Sequence, residues 1–133
     1  MSSGSTHATP DGVASYVALV ALPTAYAAVK NDSVTNKVVV CTANTDETIG
    51  FVQTPTKATT ANQPVAVKVE GFSLANCSGG WTRGDKLTPT AAGELVTTTT
   101  AAHKVCAIAE DTVSDNEAGE VRIISPAVRY DTF

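Results

Sequence analysis

Apolar residues fall in short runs separated by polar, Thr-rich links, and after residue 30 no stretch keeps a helical period. Val65, Val67 and Val69 alternate with Ala66, Lys68 and Glu70, the two-residue period of a strand with one buried face. Val38-Val39-Val40 and Ile49-Gly50-Phe51-Val52 read as further strands. Leu87 and Leu95-Val96 flank Thr88 to Glu94 in the manner of a strand, a wide turn and a returning strand. Gly79-Gly80 marks a turn, since glycine accepts positive φ at little cost. The Ala-rich stretch 12–22 has room for a short helix.

Sliding the chain against itself brings out an internal repeat at an offset of 56 residues. Asn36-Lys37-Val38-Val39-Val40 then falls on Ala92-Gly93-Glu94-Leu95-Val96. Ile49-Gly50-Phe51-Val52 falls on Val105-Cys106-Ala107-Ile108, and Val65-Ala66-Val67-Lys68-Val69 on Val121-Arg122-Ile123-Ile124-Ser125. The predicted units, 28–70 and 84–126, share a plan of strand, Thr-rich link, strand, polar loop and alternating strand. The first unit's loop carries Lys57; the second's carries Glu110, Asp111, Asp115 and Glu117, with Glu120 beyond. The expected fold is therefore all-β, a small barrel or sandwich built from two pseudo-repeats in one domain spanning 13–133.

Residues 1–12 (MSSGSTHATPDG) are polar and flexible in composition, with too little apolar surface to fold alone. Such a tail is useful when a neighbour holds it, and it is expected to lie as an extended arm on another subunit. Ser2, Ser3, Ser5, Thr6, His7, Thr9 and Pro10 are thus candidate partner-binding residues. Trp81, the single tryptophan, joins them as a candidate anchor, because interface hot spots favour Trp; a place in the core suits it equally well.

A length of 133 residues suits one domain, and a chain of 13.6 kDa buries about two-thirds of its unfolded surface without metals or disulfides. Thr and Val, restricted at Cβ, favour the pleated sheet. The net charge is −4, and the nine Lys and Arg are scattered without a basic stripe, which argues against nucleic acid as a partner. Cys41, Cys77 and Cys106 are widely spaced and odd in number, as expected for reduced, buried thiols. The apolar run 13–29 ends in Ala25-Tyr26-Ala27, similar to a signal-peptidase site. No Lys or Arg precedes it, Asp11 does, and Pro23 interrupts it, so it is expected to belong to the folded protein and not to span a membrane.

Reactive chemistry finds little to build on. The two histidines, His7 and His103, lie far apart, and no nucleophile-and-base signature accompanies either. Two isolated histidines and three dispersed cysteines lack the paired spacing of a metal site. The acidic loop lacks the register of a preformed calcium cage and reads as a solvated loop. Arg83-Gly84-Asp85 spells an adhesion tripeptide, but reads better as a turn into a strand. The expectation is a chain with no catalytic residue, metal or cofactor. A rival is a carbohydrate-binding or adhesive β-module, although Trp81, Tyr16, Tyr26 and Tyr130 are dispersed in sequence.

Gly84-Asp85-Lys86-Leu87 followed by Gly93-Glu94-Leu95-Val96, then Lys104-Val105-Cys106-Ala107-Ile108-Ala109-Glu110-Asp111 and Ala118-Gly119-Glu120-Val121-Arg122-Ile123, resembles the DUF2190 family of small phage proteins. Ile49-Gly50-Phe51-Val52 and Gln63-Pro64-Val65-Ala66-Val67 carry the likeness into the first half. Cys106 stands where that pattern usually has Gly, and the N-terminal apolar segment lies outside it. The resemblance implies a barrel-like β fold and a capsid decoration or cement protein. It further implies attachment to the outer face of the major capsid protein lattice, as a homotrimer.

Overall fold

Branched and small side chains alternating over short segments favour paired, extended backbone, and the fold follows. The computed structural model describes residues 12–20, 22, 25–53 and 62–124. Among these lie ten strands: β1 (Val13–Val17), β2 (Ala28–Asn31), β3 (Val38–Val40), β4 (Gly50–Val52), β5 (Pro64–Lys68), β6 (Phe72–Asn76), β7 (Lys86–Pro89), β8 (Leu95–Thr97), β9 (Ala107–Ala109) and β10 (Ala118–Ile123). A 3₁₀ turn, Ala91–Gly93, sits between β7 and β8. The fold is all-β. The calls on residues 1–11 lie outside the described residues.

The strands form two antiparallel five-stranded sheets, ordered β1-β5-β4-β2-β3 and β6-β10-β9-β7-β8. The second order is the first moved on by five strands, and the registers agree pair by pair. Val13↔Lys68 corresponds to Phe72↔Arg122, Ala28↔Phe51 to Lys86↔Ile108, and Val29↔Val40 to Leu87↔Thr97. In each sheet the chain just beyond the first strand meets the third at one bridge, Ala18 with Val38 and Cys77 with Leu95. The sheets curl, but neither closes into a barrel, and the whole is sandwich-like.

Two expectations need correcting. Residues 13–17 form a strand and not a helix, because β1 pairs with β5 over five positions and turns Ala14 inward and Ser15 and Val17 outward. The repeat is also larger and differently registered than a single offset of 56 suggests. Counterpart strands stand 59, 58, 57, 57 and 54 positions apart in chain order, so each unit begins one strand earlier, at β1 or β6. Val38 therefore matches Leu95 and not Glu94, and Val67 matches Val121 and not Ile123. A slip of one residue exchanges the buried and exposed faces, which is why the structure and the ungapped alignment cannot both hold.

Each unit has its own apolar interior. Ala18, Leu22, Val29, Val38, Val52, Val65 and Val67 fill the first. Their counterparts in the second include Cys77, Trp81, Leu87, Leu95, Ala109 and Val121. The second cluster also takes in Ala28, Cys41 and Phe51 from the first sheet, all at 0% exposure. On β4, Val52 thus faces its own unit while Phe51 faces the junction between units. That continuity makes one body of two repeats.

Backbone hydrogen bonds close the junction. The Gly93 N–H donates to the Cys41 carbonyl at 2.9 Å, and the Lys104 N–H to the Asn44 carbonyl at 2.8 Å. The buried Thr88 hydroxyl lies within reach of the Asn44 and Lys104 carbonyls, at 3.2 and 2.9 Å. The Asn76 side-chain amide reaches the Ala25 carbonyl at 2.9 Å. The turn carrying Asn44 is held by Asp46, whose carboxylate accepts the Thr42 and Ala43 N–H groups and pairs with Lys30 at 2.9 Å. Partial burial pushes the Asp46 carboxyl up, but those hydrogen bonds and Lys30 outweigh it and hold the group below 3.8.

Gly93 is seated against the first unit with no room for a side chain. A Cβ there would lie 2.7 Å from Val40 Cγ2, 2.8 Å from Ala27 Cβ and 2.9 Å from the Ala28 nitrogen, at a φ of +74°. Gly79 has a similar φ of +82° but nothing within 4 Å of its would-be Cβ.

Gly93→Ala is expected to lose about 2–4 kcal/mol in chemical denaturation, overpacking added to backbone strain. Gly79→Ala, which incurs strain alone, should lose about 1 kcal/mol; equal losses would remove the steric account. Asp46→Asn is expected to lose about 1–3 kcal/mol at neutral pH. Because the folded pKa is lowered, this contribution is full above the unfolded value and fades as pH falls through the folded one. Melting curves of Asp46→Asn and the parent protein should therefore converge in acid.

Candidate interaction surface

The residues expected to bind a partner divide into those outside the described chain and one inside the core. Ser2, Ser3, Ser5, Thr6, His7, Thr9 and Pro10 lie outside the described residues. Trp81 is 3% exposed, bridges Val113 by paired backbone hydrogen bonds of 3.0 Å, and packs in the second unit's cluster, so its ring offers no free face to a partner. The reason lies in the duplication, since Trp81 takes the place that Leu22 holds in the first unit. Its buried indole Nε1–H finds no hydrogen-bond partner among the described residues.

The groups with reactive or metal-binding potential are committed to structure. His103 Nδ1 lies 2.6 Å from the Thr98 hydroxyl, which in turn accepts the Thr100 N–H. In the acidic loop, Asp115 accepts the Gly79 N–H at 2.7 Å, Glu117 the Ser114 N–H at 2.9 Å, and Asp111 the Glu120 N–H at 3.1 Å. Among the described residues no group of three or more His, Cys, Asp or Glu is placed to hold a metal ion. Asp85 of the adhesion-like tripeptide accepts the Thr82 N–H of its own turn, which leads into β7. The three cysteines are buried, and burial pushes the Cys77 thiol up despite the Gly80 N–H aimed at its sulfur. Among the described residues no helix is long and apolar enough to cross a membrane.

Among the described residues the exposed large apolar side chains are Val17, Val20, Val34, Phe72 and Leu74, and the last two form a stripe on β6, an edge strand. Phe72 is 52% exposed and Leu74 38%, while Ser73 and Ala75 between them are buried. Across the ladder they stand beside Arg122 and Glu120 of β10, and Arg122 pairs with Glu110 at 3.3 Å. The result is two large apolar side chains framed by charges of both signs, the make-up of a protein contact with a polar rim. Sequence reading missed this strand because its large residues point the unexpected way. Its counterpart β1 likewise turns Ser15 and Val17 outward beside the buried Ala14, a likeness legible only once the ladders are placed.

A second surface feature is a groove of about 380 Å³ on the second unit, lined by Gly84, Asp85, Lys86, Thr97, Thr98 and Thr99. Its counterpart positions on the first unit, Tyr26, Ala27, Ala28, Val40, Cys41 and Thr42, lie where the Gly93 turn is seated.

No family model matches the chain, and the DUF2190 resemblance is not carried further by that comparison. No curated protein matches it either. Among solved structures, the chain is similar to the N base of the head fiber protein gp8.5 of bacteriophage phi29, with a TM-score of 0.67 and 15% identity, covering 84% of this chain and 94% of that one. At that identity the likeness is one of fold.

Trp81 is expected to fluoresce well to the blue of free tryptophan and to resist quenching by iodide. Trp81→Ala should lose about 3–5 kcal/mol of stability. Trp81→Leu, which installs the first unit's residue and removes the unpaired N–H, should lose clearly less; an equal loss would contradict the equivalence with Leu22.

Proposed function

We propose that the chain is a non-enzymatic structural protein of a bacteriophage head. In this reading it is a decoration or cement protein that attaches to the outer face of the major capsid protein lattice and self-associates as a homotrimer. The observation that carries the reading is the fold likeness to a head fiber base, which extends over nearly all of both chains. The motifs similar to DUF2190 point the same way from the sequence. No cofactor, nucleic acid or membrane enters the proposed role.

The surface suits such work. A cement protein adds contact area across neighbouring capsid subunits, and stable contacts bury about 1,200–2,000 Å². Phe72 and Leu74 supply an apolar centre, Arg122, Glu120 and Glu110 a polar rim, and residues 1–12 an arm that widens the footprint. Repetition around a symmetric lattice then multiplies modest individual contacts. The carbohydrate-binding alternative loses Trp81 as a platform, because its ring is in the core.

The test is co-sedimentation of purified protein with phage heads that lack it. Deleting 1–12, or replacing Phe72 and Leu74 together by Ser, is expected to weaken attachment at least tenfold with little change in melting temperature. Full attachment by both variants would remove arm and stripe from the account, and no attachment by the intact protein would overturn the capsid role.

A further inference from the structure

The junction between the two units is a groove filled by a turn. The groove lies on the first unit between residues 26–28 and 40–42, and the turn is the β7–β8 connection of the second unit, which inserts Gly93 against Ala27, Ala28 and Val40. Duplication means that the molecule holds a second copy of each part. The second groove, lined by Gly84, Asp85, Lys86, Thr97, Thr98 and Thr99, is open. The second turn, the β2–β3 connection at 32–37, projects from the first unit. We infer that this groove is the seat for the 32–37 turn of another copy of the chain, so that copies join head to tail by repeating the contact already made within each one.

The two turns match where the contact requires it. The Asp32 N–H donates to the Lys37 carbonyl as the Thr90 N–H does to that of Glu94, at 2.8 Å in both. Asn36 stands at Gly93's place with a left-handed φ of +60°, against +74° for Gly93. Within the chain the Gly93 N–H is bonded to the Cys41 carbonyl. Among the described residues the counterpart groups, the Asn36 N–H and the Thr98 carbonyl, make no backbone hydrogen bond. A donor and an acceptor that are joined in one copy of the motif are thus left unjoined in the other.

The differences between the two grooves are complementary to the differences between the turns. On the first unit the groove is apolar and tight, lined by Ala27, Ala28 and Val40, and takes a glycine. On the second it carries Asp85, Lys86 and three threonines and is open; since Thr97, Asp85 and Lys86 keep the counterparts of the atoms that crowd Gly93, the turn sits there slightly farther out, as the Asn36 side chain requires. The turn offered to it carries Asp32, Ser33, Thr35, Asn36 and Lys37 around an exposed Val34. A head-to-tail contact of this kind is heterologous and closes into a ring when the rotation allows, which suits the homotrimer proposed above. The inference rests on the self-association in that proposal and not on the phage assignment.

The test mixes two variants with one added cysteine each, Asn36→Cys and Thr97→Cys, carrying tags of different mass. Within the chain, the would-be Gly93 Cβ lies 2.7 Å from Val40 Cγ2, so the counterpart positions 36 and 97 fall within disulfide reach across copies. Mild oxidation should give a mixed dimer that reductant reverses, and neither variant should link to itself. The parent protein, whose cysteines are buried, should not link at all. Thr97→Arg, at an exposed groove position, should weaken self-association at least tenfold in velocity sedimentation with an unchanged melting temperature. An oligomer that forms without the mixed dimer would overturn the groove assignment and leave self-association standing. A monomer at every concentration would overturn both and leave capsid attachment to its own test.

Discussion

The rest of the structure depends on one tight contact, the seating of the Gly93 turn in the groove formed by Ala27, Ala28 and Val40. Two five-stranded units of this size have small cores, and the first leaves an apolar outer face that water would otherwise reach. Bringing the backbone of one unit within contact of the other buries Ala28, Cys41 and Phe51 and aligns the Gly93 N–H with the Cys41 carbonyl. Only glycine allows that approach, because any Cβ would meet three atoms at once. The junction is therefore as close-packed as either interior, and disturbing it disturbs both units.

Around that contact the polar groups serve the backbone. Asp46 pins the turn whose Asn44 carbonyl receives Lys104 and Thr88, so a surface ion pair with Lys30 is coupled to the junction several residues away. The carboxylates of the acidic loop are similarly engaged with N–H groups of turns at Gly79, Ser114 and Glu120. Titratable side chains thus hold loops in shape, while the exposed apolar residues are left to contact. Such a division suits the proposed role, whose product is an interface.

The duplication also explains why the two units are unequal. Positions that are apolar and fully buried in the first unit's outer face, Ala28, Cys41 and Phe51, become an exposed Lys86, a buried Thr98 and a half-buried Ile108 in the second. Likewise Trp81 fills a larger space than its counterpart Leu22. Repeats related in this way keep their ladders while their surfaces diverge, as in stacked repeat proteins whose terminal faces are polar.

Local pattern was enough to establish the all-β class, the strands around Val38, Val65 and Leu95, the turn at Gly79-Gly80 and the presence of a repeat, because alternation and turn chemistry act over a few residues. It did not establish β1 or β6, since 13–17 carries no strong period and Phe72 and Leu74 reverse the usual inward choice. Nor did it set the true register of the repeat, because loop lengths differ between units and only hydrogen-bonded ladders count residues across them. Whether Trp81 is an anchor or a core residue was open in sequence. Tertiary packing decided it, by placing the ring among the core residues of the second unit.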